Sequence, residues 1–289
     1  MMLKVLIIGC GDLGGAVASQ LTQLGIESAG VRRSADAIAG VSIICADVTQ
    51  GDSLYVLVPL QPEILIYCVA ANGQSDEQYK AHYVDGLRNI LATQTNNLRL
   101  KNVFFVSSTR VYGQNTEELL DENATAIPAD FGGERLLEAE NLLNTLSCKA
   151  TVLRLSGIYG AGRLRMVHLA KASEKWPLQN SWSNRIHRDD AATFIVFLVQ
   201  RVLADAEISA CYIVTDSKPA PQHEVLHWIA NKMQLNGAKL VDRPIAGGKQ
   251  LSNQAMLATG FVLQYPDYQS GYQALLSSLA NIQTEASLA

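Results

Sequence analysis

The sequence is poor in several features that mark particular classes of protein. Of its 289 residues only 7% are aromatic and 17% charged, and the net charge of −4 provides no basic field to hold a polyanion. Nucleic acid is therefore not an expected partner. The first apolar run, residues 3–8, is too short for a signal-peptide core or a membrane span. We expect a cytoplasmic protein without a membrane partner.

Cysteine is also scarce and scattered. None of the five cysteines belongs to a C-x-x-C pair, and their odd number argues against a disulfide framework or a zinc knuckle. We predict that they are small apolar residues of the core. The five are Cys10, Cys45, Cys68, Cys148 and Cys211.

Short apolar runs alternate with helical patterns in the first half of the chain. Such runs, separated by helices and bounded by glycine or polar residues, predict a buried parallel sheet. The predicted fold class is α/β, a doubly wound Rossmann sheet with a small C-terminal substrate-binding region. The predicted strands are residues 3–8, 28–31, 41–45, 64–69, 103–106 and 151–155.

Three helices are predicted between these strands. In the first, apolar residues from Leu13 to Leu24 share one face, and Gly25 follows as the stop. Apolar residues recur at helical spacing over residues 78–95 and 134–146 as well.

A glycine motif directly follows the first predicted strand. Gly9, Gly11 and Gly14 have the Gly-x-Gly-x-x-Gly spacing. The first glycine permits a tight turn, the second lets backbone approach a pyrophosphate, and the third lets helix and strand pack closely. With Asp12 and Leu13, which open the helix, these glycines are the predicted phosphate-binding site of a nicotinamide dinucleotide. The alternative is a tight turn without a ligand.

The end of the second predicted strand favours NADP over NAD. An NAD site usually places Asp or Glu about 20 residues after the glycines, to bind the ribose hydroxyls. Here the stretch contains Arg32, Arg33 and Ser34, and paired guanidinium donors suit a 2′-phosphate. NAD remains the alternative cofactor, and the competing interpretation makes both arginines ordinary solvated loop residues.

An ordered series of further motifs resembles the extended short-chain dehydrogenase/reductase superfamily, in the branch of NAD-dependent epimerase/dehydratase proteins. The resemblance covers nearly the whole chain. It implies that Asp47 lies by the adenine, that Ala70 and Ala71 line the cofactor pocket, and that Ser108 hydrogen-bonds the reacting oxygen. The segments that carry it, besides the glycine turn, are residues 45–48, 69–71, 105–113, 154–160 and 185–190.

The resemblance breaks at the catalytic pair. The family's Tyr-x-x-x-Lys motif should open the helix after the fifth strand, but Phe131 and Arg135 occupy its two slots. Phenylalanine cannot exchange a proton, and arginine can hold ribose hydroxyls without relaying protons. The sequence is therefore similar to the atypical, YeeZ-like members. Tyr112 is the first candidate for a substitute proton donor, although it could simply anchor its loop; Tyr159 and His187 are weaker candidates.

A second motif has the wrong context for its usual chemistry. His223, Glu224 and His227 match His-Glu-x-x-His, which on a helix can bind zinc. A third ligand is needed, and no histidine follows His227, while the one later glutamate is Glu285. We predict a chance match and no metal site.

Two functions remain open at this point. The first is an oxidoreductase or epimerase acting on a hydroxyl or carbonyl of a small polar substrate, for example one derived from a sugar, with Ser108, Tyr112 and Arg135 in the active site. The second is a non-catalytic sensor of NADP(H).

In either case residues 1–156 are the expected dinucleotide-binding core and 157–289 mainly the substrate region, with 186–215 returning to the core sheet. The resemblance also implies a homodimer through helices 78–95 and 134–146.

Overall fold

A computed structural model describes residues 3–235 and 243–288 of the protein. The chain forms two compact units. Unit 1 takes in the described residues up to Gly113, then Thr125–Arg154 and Ala191–Tyr212. Unit 2 takes in Gln114–Ala124, Leu155–Asp190 and the described residues from Ile213 onward.

The main element is a seven-stranded sheet. Its strands are β1 Val5–Ile8, β2 Ser28–Arg32, β3 Ser42–Cys45, β4 Ile64–Tyr67, β5 Asn102–Ser108, β7 Lys149–Leu155 and β11 Cys211–Val214. They lie in the order β11-β7-β5-β4-β1-β2-β3, and the pairs β3–β2, β2–β1, β1–β4 and β4–β5 are all parallel. The predicted fold class is confirmed, and each predicted strand overlaps an observed one.

The apolar runs form strands because they are buried on both faces. All four residues of β1 and all four of β4 are fully buried. A parallel sheet covered by helices on both sides needs such continuous runs, whereas a half-exposed strand would alternate polar and apolar residues. Strand β3 is less buried. Cys45, at the end of this strand, is exposed, so the prediction that Cys45 belongs to the core was wrong. Its thiol instead contacts the carbonyl oxygen of Arg33, at 2.9 Å.

Nine α-helices lie in the described residues. They are α1 Asp12–Gln23, α2 Asp76–Tyr79, α3 Gly86–Thr93, α4 Phe131–Leu142, α5 Arg165–Ala170, α6 Arg188–Leu203, α7 Gln222–Lys232, α8 Gln254–Ala258 and α9 Tyr268–Leu288. The predicted helix over residues 78–95 is α2 and α3 joined by a π-helical turn, Lys80–Asp85.

Helix α4 begins three residues before its predicted start at residue 134. Asp130 is the N-cap, and its carboxylate accepts the N–H of Gly133 at 2.9 Å. Such a cap satisfies one of the unpaired N–H groups of a first turn. The apolar periodicity does not predict this start, because Gly132 and Gly133 have no apolar side chains and glycine has low helix propensity.

Unit 2 is built around small sheets. Strand β8 Gly157–Tyr159 pairs in parallel with β10 Arg185–His187. Strand β9 Asn180–Ser183 lies between β12 Ala220–Pro221 and β13 Ile245–Gly248, and β6 Leu119–Leu120 pairs with β14 Gln250–Leu251. Across residues 3–235 and 243–288, no helix is long and apolar enough to cross a membrane.

Candidate functional site

The glycine turn lies where the strand order of the sheet reverses. β1 lies between β2 and β4, and doubly wound sheets bind ligands at the carboxyl ends of strands around this point. Gly9 follows β1 with a φ of +87°, and a Cβ there would lie 2.5 Å from the carbonyl oxygen of Cys68, which follows β4. Only glycine therefore allows the two strand ends to approach this closely.

The other two glycines of the turn have different surroundings. A Cβ on Gly14 would lie 2.4 Å from the carbonyl oxygen of Gly9, so α1 packs directly against the turn. A Cβ on Gly11 would meet no heavy atom of the described chain within 4 Å. Asp12 begins α1 and is exposed, Leu13 is buried, and the N-cap residue of this helix is Gly11, which has no side chain with which to cap the first turn. Open space at the positive end of a helix suits a pyrophosphate.

The carboxyl ends of the neighbouring strands carry the other predicted cofactor contacts. Asp47 follows β3, and its Oδ1 accepts the N–H and the hydroxyl of Thr49 at 2.9 and 2.8 Å. Burial alone would raise the pKa of Asp47, but these hydrogen bonds and the charge of Arg33 outweigh it, so the pKa is lowered. Ala70, which is exposed, and Ala71, which is half-buried, follow β4. Asp47 is therefore ionised at neutral pH, and the backbone that follows β4 is accessible at Ala70.

The two predicted phosphate-binding arginines differ in their environment. Arg32 ends β2 and pairs through Nη2 with Oδ2 of Asp36, at 3.2 Å. Arg33 is exposed on the following bend. The Asp36 carboxylate thus holds the guanidinium of Arg32 near the end of β2, and Asp36 belongs to none of the predicted motifs.

Ser108 lies at the carboxyl end of β5. It is half-buried, and its Oγ accepts the backbone N–H of Arg110 at 3.2 Å, which caps the short turn Thr109–Val111. The hydroxyl proton is not used in that bond. The serine can therefore still donate toward a ligand oxygen at this edge of the sheet.

Tyr112 lies away from the surface. Its side chain is fully buried, and its hydroxyl accepts a hydrogen bond from Nη1 of Arg154 at 2.5 Å. Arg154 also forms an ion pair with Glu140, with an Nη2–Oε2 distance of 2.6 Å, and Ser107 donates to the same carboxylate at 2.6 Å. We call these four residues the buried network. This position favours the anchoring role for Tyr112, and its part in proton transfer stays a prediction.

Phe131 lies in a cluster of aromatic rings and charges. Its ring meets that of Tyr79 edge-on, with centroids 5.4 Å apart, and the guanidinium of Arg110 lies 5.3 Å from the Phe131 ring centroid. Arg110 also donates to the Tyr79 hydroxyl at 2.7 Å and pairs with Asp130 at 2.9 Å. Gly132 makes room for this guanidinium, because a Cβ there would lie 2.4 Å from its Cζ. The phenol of Tyr79, which is paired with the Arg110 guanidinium, therefore lies next to Phe131, the residue that replaces the family's tyrosine.

Arg135, in the lysine slot, forms ion pairs with two carboxylates. Its Nε and Nη2 bind the two oxygens of Asp76 at 2.7 and 2.9 Å, and its Nη1 binds Glu138 at 2.7 Å. Asp76 opens α2, so the arginine connects α2 to α4. Sequence reasoning gave no role to Asp76, Tyr79 or Arg110, because each is at least 20 residues from its partner. Arg110 lies in the motif segment 105–113, whereas the other two belong to no motif. Binding of ribose by Arg135 stays a prediction.

The two weaker proton-donor candidates lie in unit 2. Tyr159 is buried and stacks on Tyr272 with centroids 4.3 Å apart, and burial raises the pKa of its phenol well above the ordinary value. His187 packs edge-on against Tyr159, and burial lowers its pKa. The phenol thus keeps its proton and the imidazole is neutral at neutral pH.

The residues of the His-Glu-x-x-His motif have packing partners. His223 contacts the carbonyl oxygen of Pro177 through Nε2 at 2.9 Å, and Glu224 accepts the Tyr268 hydroxyl at 2.8 Å. The ring of His227 packs against Trp176 with centroids 4.8 Å apart. Within the described part of the chain, no group of three histidine, cysteine or acidic side chains is placed to hold a metal ion.

Comparison with known proteins extends this description. The family model described as RmlD substrate binding domain matches residues 3–256. A solved structure from Methylobacillus flagellatus, assigned to the NAD-dependent epimerases/dehydratases, is 49% identical; it covers 97% of this chain and 100% of that chain, with a TM-score of 0.88. Protein YeeZ of Escherichia coli K12 is 25% identical over an alignment of 281 residues, and the match covers 92% of this chain and 97% of YeeZ.

A more distant structure shares the fold. The enzyme WbmG of Bordetella bronchiseptica, solved in complex with NAD, is 17% identical and has a TM-score of 0.78. The match covers 96% of this chain and 94% of WbmG. At this level of identity the likeness concerns the fold alone.

Proposed function

The chain belongs to the NAD-dependent epimerase/dehydratase family, as its motifs indicated, and from that premise we propose that it binds a nicotinamide dinucleotide and acts on a hydroxyl or carbonyl of a small polar substrate. The glycine turn carries the proposal: Gly9 and Gly14 leave no room for a Cβ, while Gly11 faces open space at the start of α1. WbmG, which shares the fold, has also been solved with NAD and UDP, so UDP-sugars are among the first candidate substrates to test.

In this proposal, residues at the carboxyl ends of the strands contact the cofactor or the substrate. The bound cofactor would supply hydride transfer. Gly11 would face its pyrophosphate, Asp47 would lie on the adenine side, and Ala70 and Ala71 would line the groove. Ser108 would donate to the substrate oxygen, because its hydroxyl proton is not used in the bond from Arg110.

The cofactor preference rests on Arg32. The Arg32→Ala variant is expected to bind NADPH about tenfold more weakly, a loss of about 1.4 kcal/mol, because a paired donor to the 2′-phosphate is removed. NADH affinity is expected to change less than twofold. Calorimetric titration with both dinucleotides measures this, and an equal loss for both would assign Arg32 to a part of the site that NADH also uses.

Hydride transfer to or from a panel of UDP-sugars and simple carbonyl compounds tests the enzymatic function. For the best substrate, Ser108→Ala is expected to lower kcat/KM about tenfold, since one hydrogen bond to the reacting oxygen is lost. Its NADPH affinity should equal that of the wild type. An unchanged kcat/KM would remove Ser108 from the active site.

A cofactor sensor without catalysis is the second candidate function. The observation that favours it is Phe131, because the family's phenol is replaced by a ring that cannot exchange a proton. Tight NADPH binding with no turnover over the whole panel would support the sensor. Turnover of any panel member at the expense of NADPH would exclude it.

We also propose that the protein is a homodimer. If the contact follows the family resemblance, it would lie on helices α2, α3 and α4. Sedimentation equilibrium of the purified chain checks this, and a monomer at micromolar concentration would contradict it.

A further inference from the structure

Asp36 lies between the groups that are expected to bind the cofactor's 2′-phosphate. It follows the end of β2 by four residues. Its Oδ2 accepts a hydrogen bond from Nη2 of Arg32 at 3.2 Å and another from the hydroxyl of Ser34 at 2.7 Å. A single carboxylate oxygen therefore receives donors from two of the three side chains on which the preference for NADP depends, Arg32 and Ser34 but not Arg33.

These two contacts are easily opened. The Asp36 side chain is 73% exposed, whereas that of Arg32 is only 25% exposed. An exposed ion pair four residues apart adds little to stability, because water and salt screen it. Asp36 thus holds the donors of Arg32 and Ser34 at one oxygen atom, and its side chain can rotate into solvent with little loss of stability.

We infer that Asp36 acts as an internal competitor of the 2′-phosphate and thereby sets the ratio of NADPH to NADH affinity. This inference rests on the proposed function. A phosphate monoester carries up to two negative charges and needs the same donors from Arg32 and Ser34, so the carboxylate must leave before the phosphate can bind. It then remains nearby as a like charge, which weakens the binding of NADPH further.

NADH meets the same carboxylate differently. Its 2′-hydroxyl has no charge, so Asp36 does not repel it, and it does not need the donors that Asp36 occupies. Asp36 therefore costs NADPH affinity without costing NADH affinity. The site selects NADP through Arg32 and limits that selection through Asp36.

The test is a calorimetric titration of the full chain with NADPH and with NADH. Asp36→Ala is expected to bind NADPH about fivefold more tightly than the wild type and to bind NADH with unchanged affinity. Asp36→Asn keeps the side-chain shape but removes the charge, and it should give most of the NADPH gain. Glu27→Ala, which removes an exposed carboxylate at the amino end of β2, opposite the end that carries Arg32, is the matched control and should change neither affinity.

A double-mutant cycle isolates the pair. In the Arg32→Ala background, removal of Asp36 should increase NADPH affinity less than it does in the wild type, since Asp36 then acts only through Ser34 and through charge repulsion. Unchanged or weaker NADPH binding in Asp36→Ala alone would overturn the inference. A loss of NADH affinity in that variant would also overturn it, because Asp36 would then be the acidic ribose ligand of an NAD site. Failure of the wild type to bind either dinucleotide would overturn the proposed function itself.

Discussion

Replacement of Gly11 by alanine is expected to weaken dinucleotide binding at least a hundredfold while the melting temperature changes by less than about 2 °C. The loss corresponds to about 2.8 kcal/mol and follows from a methyl group placed where the pyrophosphate must approach backbone. Stability is preserved because a Cβ on Gly11 meets no atom of the described chain within 4 Å. Calorimetric titration and thermal unfolding measure the two effects separately.

The neighbouring glycines are the controls for this prediction. A Cβ on Gly9 or Gly14 would lie 2.5 or 2.4 Å from a carbonyl oxygen of the backbone, and Gly9 also has a positive φ. Alanine at either position should therefore lower the melting temperature by more than about 5 °C. Wild-type affinity in the Gly11→Ala variant would show that the turn is only a structural connection between β1 and α1.

Glu140→Ala is expected to lower the free energy of unfolding by about 3–5 kcal/mol, the range found when one partner of a buried ion pair is removed. Only 12% of the Arg154 side chain and 5% of the Glu140 side chain are exposed. The variant leaves the guanidinium in the interior without its carboxylate, and Ser107 loses its acceptor. Urea unfolding followed by circular dichroism measures the loss.

Two further variants separate this effect from a general loss of charge. Glu138→Ala removes an acidic residue of the same helix whose partner, Arg135, lies near the surface, so the midpoint of unfolding should stay close to that of the wild type. The double variant Glu140→Leu with Arg154→Met should be more stable than Glu140→Ala alone, because no buried charge is left unpaired. If Glu138→Ala and Glu140→Ala were equally destabilised, the buried network would not have the importance assigned to it.

The sequence predicts those parts of the molecule that depend on neighbouring residues. The runs that became β1 and β4 are continuous apolar segments, and Gly9, Gly11 and Gly14 have a fixed spacing after a strand, so strand, turn and helix follow from local rules. The burial of Tyr112 could not be predicted in this way. Its partner Arg154 lies 42 residues further along the chain, on β7.

The surroundings of Phe131 show the same limit. The sequence reveals that the family's tyrosine is absent, because the slot can be counted along the chain. It does not reveal that Arg110 donates to Tyr79 next to that slot, since the two residues are 31 positions apart and meet only when α2 and β5 are both in place. Chemistry that arises from tertiary contacts between unrelated segments has no local signature.

The π-helical turn Lys80–Asp85 has a consequence for how this chain aligns with related ones. A π turn takes in an extra residue, and each residue of an α-helix advances the backbone by 100°. The insertion therefore rotates α2 relative to α3, so that Asp76 faces Arg135 while Leu87 and Ile90 remain in the core. A relative with an uninterrupted helix here would need a one-residue gap in this turn, and its residue at position 76 would point elsewhere.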